Sequence, residues 1–208
     1  MVDAAQLARE LLRIEAVRLR PEAPFTWASG MRSPIYTDNR VALAYPPVRD
    51  LIADGLAGRA REVGPLDAVA GVATAGIPHA ALVADRLGLP LAYVRASAKA
   101  HGRQNRIEGR LTAGQRVVVI EDLVSTGGSS LEAVEALRDA GVVVVATLAI
   151  FTYGFAAAEA RFAEAACRLE VLTDYPTLIA EARASGYVNA GQLDALTEWR
   201  ARASADLT

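Results

Sequence analysis

The sequence predicts an α/β fold built on a parallel, doubly wound sheet of about five strands flanked by helices. Two observations lead to this prediction. Short apolar runs rich in valine, isoleucine and alanine recur along the chain, as is typical of strands buried on both faces. Between these runs lie longer segments with the apolar spacing of helices, so strands and helices alternate.

The N-terminal forty residues are predicted to precede this alternation. Leucines at helical spacing predict an amphipathic helix over Ala4–Val17. Prolines and a glycine interrupt Arg20–Arg40, so short strands joined by turns fit that segment best. Its aromatic residues Phe25, Trp27 and Tyr36 are either core or interface residues or the lining of a pocket for a flat ring.

From residue 46 onward, strand and helix patterns follow one another. Paired prolines favour a helix start, valine-rich runs favour buried strands, and a glycine favours a helix end. The predicted strands are Asp67–Val72, Leu89–Val94, Val117–Ile120, Val142–Ile150 and Leu169–Leu172. The predicted helices begin at Pro46, His79 and Leu131 and then cover Ala156–Ala166, Pro176–Ala184 and Ala190–Ala203.

The bulk composition is that of an ordinary globular protein. With 208 residues the chain is long enough for a full core, and we expect residues 1–208 to form one domain with a small appendage from the terminal segments. An apolar fraction of 52% and a charged fraction of 22% argue against disorder. A formal charge of -2 gives no general electrostatic reason to expect nucleic acid or an anionic membrane as a partner.

Cysteine usage and hydropathy predict a cytoplasmic protein. Cys167 is the only cysteine, which excludes an intramolecular disulfide and a cysteine-based zinc cluster and indicates a reducing compartment. Charged residues interrupt the apolar pattern of Met1–Arg20, so this segment does not resemble a signal peptide. The longest apolar run, Val142–Phe151, has ten residues and is too short to cross a bilayer.

The stretch Val117–Ser130 carries the strongest functional signal. Apolar β-formers lead into Glu121 and Asp122, and a loop of small and hydroxylated residues then runs into a helix. A glycine-rich turn after a strand often only connects elements, although its amides and the helix N-terminus favour an anion. Two carboxylates at a sheet edge, however, cost desolvation free energy unless something hydrogen-bonds them. We therefore interpret this stretch as a site for a ribose that carries a phosphate.

Two further segments indicate that the ligand is strongly anionic. Ala73–Pro78 is a second small-residue loop between a strand and a helix, and ligands collect at the carboxyl ends of parallel strands. Arg95–Gly109 is a long polar segment without strand or helix periodicity. It is either a solvated surface loop or, beside a phosphate site, a cationic flap that closes over a polyanion, which we favour. Its cationic residues are Arg95, Lys99, His101, Arg103 and Arg106.

These segments together suggest a substitution at the sugar. A ribose phosphate that faces a cationic flap leaves the far carbon of the sugar open to substitution, with diphosphate as the leaving group. Magnesium is the usual partner of diphosphate oxygens, and the sequence shows no all-protein metal cage, so Mg²⁺ would arrive with the substrate. His79 has no charged or polar neighbours of this kind, and we expect it to be a helix N-terminal or surface residue.

Four blocks of the chain resemble the type I phosphoribosyltransferases. Val118–Ser129 is similar to the phosphoribosyl diphosphate signature of that family. The blocks Phe25–Arg40, Ala73–Pro78 and Lys99–Gly102 resemble the orotate-specific members. The resemblance implies the type I fold with a small hood, formed mainly by residues 1–40 and the C-terminal helices. It also implies a reversible, magnesium-dependent reaction in which orotate and phosphoribosyl diphosphate give orotidine 5'-phosphate and diphosphate, a step of pyrimidine biosynthesis.

The resemblance also implies roles for individual residues. Ser125–Ser129 would hold the 5'-phosphate, and the acidic pair would hold the ribose hydroxyls and stabilise positive charge on the sugar. The flap would contact diphosphate in the site of a partner subunit, so a homodimer is implied. The implied catalytic residues are Lys99, His101, Glu121 and Asp122. The implied substrate-binding residues are these four together with Tyr36, Thr37, Thr74, Ala75, Arg95, Leu123, Val124, Ser125, Thr126, Gly127, Gly128 and Ser129.

Departures from the family pattern and two competing functions remain to be weighed. Ala28, Ala75 and Ala96 stand where many members carry lysine, which leaves Arg95 and the lysine and histidine of the flap to neutralise diphosphate. A sister enzyme for a purine or uracil would keep the acidic strand and change the block Phe25–Arg40. A regulatory protein that binds phosphoribosyl diphosphate and controls nucleic acid would need a basic face, which the sequence does not show.

Overall fold

A computed structural model describes residues 2–27, 30–96 and 106–207 of the chain. The strands in this part are β1 (Val17–Leu19), β2 (Phe25–Thr26), β3 (Arg32–Ser33), β4 (Ile35–Thr37), β5 (Ala68–Val72), β6 (Leu91–Val94), β7 (Ile107–Glu108), β8 (Arg116–Val124), β9 (Val143–Thr152) and β10 (Leu169–Asp174). The helices are α1 (Ala4–Arg13), α2 (Pro46–Glu62), α3 (Gly76–Leu87), α4 (Gly128–Asp139), α5 (Ala156–Glu164), α6 (Tyr175–Ala184) and α7 (Ala190–Asp206), with a 3₁₀ segment at Asn39–Ala44.

The central sheet of the described residues has six strands in the order β10-β9-β8-β5-β6-β7. Five of them run parallel, which confirms the predicted α/β class and parallel sheet. The sixth, β7, pairs antiparallel with β6 and lies in the segment for which the sequence predicted no strand. Because β7 has two residues, it is too short to produce a periodic pattern.

Both faces of the sheet are buried, as the continuous apolar runs predicted. Along β8, Val118 and Ile120 belong to one core cluster, whereas Val117 and Val119 belong to another. Successive side chains of a strand point to opposite faces, so β8 contributes to both layers. The first layer includes residues of α1, α2, α3, α6 and α7, and the second includes residues of α4 and α5. Helices on both sides make the sheet doubly wound.

The strand order changes direction between β5 and β8. The first parallel strand, β5, lies between the second, β6, and the third, β8. At such a switch point the loops after two neighbouring strands leave toward opposite faces and open a crevice at the carboxyl edge. The loop Ala73–Ala75 after β5 and the loop Ser125–Gly127 after β8 border this crevice.

The terminal segments meet beside this edge. Strands β1 and β4 pair antiparallel, and so do β2 and β3. Trp27 packs against Tyr153 and Trp199 at ring-centroid distances of 5.3 and 5.9 Å, and the indole N–H of Trp199 donates to the carbonyl of Arg32 at 3.1 Å. Aromatic packing and this hydrogen bond therefore hold the N-terminal strands and α7 together.

Several boundaries differ from the sequence prediction. Helix α1 ends at Arg13 rather than Val17, since Glu15 adopts a φ of 58° and turns the chain into β1. Strand β8 continues through the acidic pair to Val124, because its pairing with β9 extends to Thr152. Helices α3 and α4 each begin three residues earlier than predicted, at Gly76 and Gly128.

One expected surface residue is buried. His79 is the fourth residue of α3, in agreement with the expected helix N-terminal position, but its exposed fraction is 0%, so the alternative of a surface residue is wrong. Burial lowers the pKa of His79 to about 4, which keeps the imidazole neutral. The cause is tertiary: α3 packs on β5 and α2. In the described residues, no helix is long and apolar enough to span a membrane.

Candidate active site

The acidic pair lies inside strand β8, close to its carboxyl end, rather than after the strand. Glu121 is 4% exposed and accepts hydrogen bonds from the hydroxyl of Ser130 at 3.0 Å and from that of Ser129 at 3.5 Å. Strand alternation directs the next residue, Asp122, to the opposite face of the sheet. The side-chain amide of Asn39 donates a hydrogen bond to the backbone carbonyl of Asp122 at 2.7 Å. The carboxylate of Glu121 is therefore tied to helix α4, and the backbone of Asp122 is tied to the segment after β4.

Burial shifts the titration of both carboxyl groups. Desolvation, with the neighbouring charge of Asp122 as the second cause, raises the pKa of Glu121 to about 8. Desolvation also raises the pKa of Asp122, although the guanidinium of Arg40 acts in the opposite direction. A buried carboxyl pair of this kind is costly for folding, and such shifts concentrate at functional sites.

The loop after β8 presents backbone amides. Gly127 has a φ of 81° and precedes α4, whose N-terminus has no side-chain cap among the described residues. A β-carbon at Gly127 would lie 2.8 Å from the ring of Phe162, so α5 packs closely behind the loop. Arg161 of the same helix donates to the carbonyl of Thr126 at 3.2 Å. The loop is thus supported from behind, and the uncapped amides of α4 can bind an anion.

A cavity lies where β5 and β6 end. Its volume is about 500 Å³, and it is lined by Thr74 and Arg95, two of the implied substrate-binding residues. Arg95 forms an ion pair with Glu108 of β7 at 3.4 Å. The peptide bond between Ala73 and Thr74 is cis. The lining residues are Ala73, Thr74, Ile77, Tyr93, Arg95, Ala96 and Glu108.

Ala75 and the flap residues have different outcomes. Ala75 is half-buried at the start of α3 and is absent from the residues that line this cavity. Lys99 and His101 lie outside the described residues, as does Ala28. The two ends of their segment are joined, because Arg95 N–H donates to the carbonyl of Arg106 at 2.8 Å and the Arg106 side chain donates back at 2.9 Å.

Another cavity lies between β8 and the N-terminal strands. It has a volume of about 270 Å³, and Tyr36, Thr37, Leu123 and Ser125, all expected at the site, line it. Thr26, Trp27 and Tyr153 complete the lining. Its size and its aromatic walls suit a single flat ring. Trp27 and Tyr36 therefore line a pocket, whereas Phe25 packs on Tyr36 with a centroid distance of 5.6 Å.

A larger cavity of about 570 Å³ lies apart from these residues, between α5, β10 and α7. It contains none of the predicted site residues. Arg200, which lines it, already donates to the carbonyls of Tyr153 and Gly154 at 2.8 and 2.5 Å. The candidate site is thus at the carboxyl edge of β5, β6 and β8.

Sequence reasoning missed three contacts that hold this site together. They are the hydrogen bond from Asn39 to β8, the hydrogen bond from Arg161 to the segment Ser125–Ser129, called the phosphate loop below, and the ion pair of Glu108 with Arg95. Each joins residues distant in the chain, so no local spacing signals it. Val124 is the last residue of β8 and is buried, and Gly128 is the first residue of α4, whereas the sequence prediction had placed both in the loop between strand and helix.

Comparisons with known proteins agree with this geometry. A family model described as "Phosphoribosyl transferase domain" matches residues 46–175. The orotate phosphoribosyltransferase of Cytophaga hutchinsonii is 55% identical over 196 residues, which are 94% of each chain. The crystal structure of orotate phosphoribosyltransferase from Aeropyrum pernix aligns with a TM-score of 0.76 and 34% identity, over 88% of this chain and 99% of that one. A Mycobacterium tuberculosis enzyme of the same name, in complex with 5-phospho-α-D-ribosyl 1-diphosphate, aligns with a TM-score of 0.66 and 29% identity, over 85% and 98%.

Proposed function

This chain belongs to the orotate phosphoribosyltransferases, within the phosphoribosyl transferase family, and we propose that it makes orotidine 5'-phosphate in pyrimidine biosynthesis. In the reaction, a ring nitrogen of orotate loses its proton, which ends on the released diphosphate or in solvent, and forms a bond to C1 of the ribose. The bond from C1 to the diphosphate oxygen of 5-phosphoribosyl 1-diphosphate breaks. The diphosphate leaves with the electron pair of that bond. The reaction is reversible.

One observation carries the proposal: the order of the sites along the sheet edge. The ring-sized cavity and the phosphate loop share Ser125 at the end of β8, and the cavity with Arg95 lies at the ends of β5 and β6. The acidic pair of β8 lies beside both loops. This order matches a transfer in which base, phosphoribose and diphosphate occupy neighbouring positions.

In this proposal the phosphate loop and the acidic pair act on the sugar. The backbone amides of Ser125–Ser129 bind the 5'-phosphate at the N-terminus of α4. Glu121 and Asp122 bind the ribose hydroxyls, and their ionised forms stabilise the positive charge that develops on the sugar as diphosphate leaves. Because the loop is fixed before substrate binds, little reorganisation free energy is spent during the reaction.

The cationic residues act on the leaving group. Arg95 and Thr74 line the proposed diphosphate cavity, and Ala75 follows Thr74 in the chain, just outside that lining. Lys99 and His101 would add positive charge from the flap. Charge placed where the diphosphate accumulates electrons lowers the barrier, and one such partner commonly contributes about 2 to 4 kcal/mol.

We propose that Mg²⁺ is bound mainly by substrate oxygens. In the described residues, no group of three or more His, Cys, Asp or Glu side chains could hold a metal ion. The acidic pair supplies hard oxygen donors beside the ribose, which fits a cation carried by the diphosphate better than an all-protein cage. When bound, Mg²⁺ neutralises charge on the diphosphate.

We further propose a cytoplasmic homodimer in which the flap of one subunit completes the site of the other. The support is the resemblance of Lys99–Gly102 to the shared loop of the family. Mixing Lys99→Ala subunits with Asp122→Asn subunits tests it. Random exchange gives one complete site in half of the dimers, so about a quarter of the original activity returns. No recovery would place each site within one chain.

The function itself is tested by the absorbance of orotate. With 5-phosphoribosyl 1-diphosphate and Mg²⁺ present, we expect orotate to be consumed and diphosphate to be released in equal amounts. Chelation of the metal should stop the reaction, and added Mg²⁺ should restore it. Turnover of uracil or hypoxanthine instead of orotate would overturn the proposal.

A further inference from the structure

The hydroxyl group of Tyr153 makes a specific contact at the base cavity. Tyr153 is 2% exposed, and its O–H donates to the side-chain oxygen of Thr37 at 3.1 Å. Both residues line the 270 Å³ cavity. They are 116 positions apart in the chain, so the fold alone brings them together.

The direction of this hydrogen bond sets the polarity of Thr37. Burial raises the pKa of Tyr153 to about 12, so the phenol keeps its proton at neutral pH and remains a donor. Because the side-chain oxygen of Thr37 accepts the hydrogen bond from Tyr153, the hydroxyl hydrogen of Thr37 is left to donate to another group. A chain of two hydroxyls also polarises the second one, which strengthens it as a donor.

The position of the phenol is fixed by packing. Its ring stacks on Phe155 with a centroid distance of 5.4 Å and meets Phe151 edge-on at 5.5 Å. Arg200 donates to its backbone carbonyl at 2.8 Å. Because ring and backbone are both held, the phenol oxygen stays within hydrogen-bond distance of Thr37.

The remaining walls offer hydrogen-bond donors and apolar surface. The indole N–H of Trp27 donates to the carbonyl of Ile35 at 3.2 Å, so Trp27 presents its ring to the cavity. Leu123 is apolar, and Ser125 adds a hydroxyl. A base rich in acceptors, with ring carbonyls and a carboxylate, is complementary to such a wall, and a base that turns an N–H toward Thr37 is not.

We propose that Tyr153 is a positioning residue for base specificity, which holds Thr37 as a hydrogen-bond donor to an acceptor oxygen of the pyrimidine. This inference rests on the proposed function and adds a residue that selects the base. Tyr153 acts through Thr37 and takes no part in bond making or breaking.

The test compares Tyr153→Phe, Thr37→Val and the double variant, with Tyr175→Phe as the matched control. Tyr175 belongs to the same aromatic cluster and donates to the carbonyl of Leu196 at 3.0 Å, away from the cavity. We expect Tyr153→Phe to raise the KM for orotate by about 5- to 20-fold, the value of one buried hydrogen bond. The KM for 5-phosphoribosyl 1-diphosphate should change by less than about twofold in Tyr153→Phe. In the control Tyr175→Phe, the KM values for both substrates should change by less than about twofold.

The double variant separates positioning from packing. If Tyr153 acts through Thr37, Tyr153→Phe adds no further rise in the KM for orotate once Thr37 is valine. Three results would overturn the inference: an unchanged KM for orotate in Tyr153→Phe, an equal rise in KM for both substrates, or additive effects in the double variant. In each case, orotate turnover by the unmodified protein would still support the proposed function. If the unmodified protein consumed no orotate, the proposed function and this inference would both fall.

Discussion

Replacement of Gly76 by alanine tests whether close backbone packing aligns the two halves of the site. Gly76 is the first residue of α3 and follows the loop Ala73–Ala75. A β-carbon there would lie 2.5 Å from the carbonyl oxygen of Ile120 and 3.4 Å from the α-carbon of Glu121. Both neighbours are backbone atoms of β8, so no side chain can rotate away. Helix α3 would have to move by several tenths of an ångström from the acidic strand.

The expected cost follows from that displacement. Overpacking of this kind destabilises by about 1 to 3 kcal/mol, which for a chain of this length lowers Tm by about 2 to 12 °C. Since the loop that carries Thr74 moves with α3, we expect the KM for 5-phosphoribosyl 1-diphosphate to rise on the order of tenfold.

Gly58→Ala is the matched control for differential scanning calorimetry and steady-state kinetics. Gly58 lies inside α2, and a β-carbon there has nothing within 4 Å. Alanine at a helical glycine should raise stability by up to about 1 kcal/mol with unchanged kinetics. If Gly76→Ala kept both the original Tm and the original KM, contact between α3 and β8 would not be what aligns the site.

Three further predictions concern the acidic strand and the flap. The pKa of Glu121 is raised from 4.5 to about 8, so its contribution to stability is present below pH 4.5 and lost as pH rises through 8. Glu121→Gln should therefore melt progressively higher than the unmodified protein across this window, and parallel Tm curves would contradict the burial argument. Asn39→Ala leaves the carbonyl of Asp122 without its donor and should cost about 1 to 3 kcal/mol in urea unfolding, whereas a loss below about 0.5 kcal/mol would show that this bond is dispensable. Lys99→Ala should lower kcat/KM by at least about tenfold if the lysine neutralises diphosphate, and unchanged kinetics would remove it from the site.

Much of the fold was accessible from local patterns. The central parallel strands were predicted from continuous apolar runs, because burial on both faces leaves no polar alternation, whereas the edge strand β10 includes Glu170. The short strands β2, β3 and β4 lie in the segment for which short strands were predicted, but the two-residue strand β7 escaped prediction. The extension of β8 through Glu121 and Asp122 was also missed, because it depends on pairing with β9 rather than on apolar character. His79 was expected at a helix N-terminus or on the surface, and its burial was missed because a lone histidine in an alanine-rich helix carries no signal of which face will be covered.

The candidate site was found in outline for the same local reasons. Carboxylates, glycines and hydroxyls are contiguous around Glu121 and Ser125, so one stretch of sequence indicates a phosphorylated ribose. Spacing could not show that Thr37 and Tyr153 share a wall, or that Arg161 supports the phosphate loop, since these contacts span many residues.

By itself, the sequence determined the parallel sheet, the acidic strand and the phosphate loop, because the chemistry of each lies within a few consecutive residues. The tertiary structure alone decided how the loops after β5 and β8 border one crevice, through the reversal of strand order between them. It also decided which hydroxyls meet in the ring-sized cavity, because the bond from Tyr153 to Thr37 forms only when the N-terminal strands pack beside β9. Side-chain polarity in a pocket is a property of the packed neighbours, and those neighbours come from distant parts of the chain.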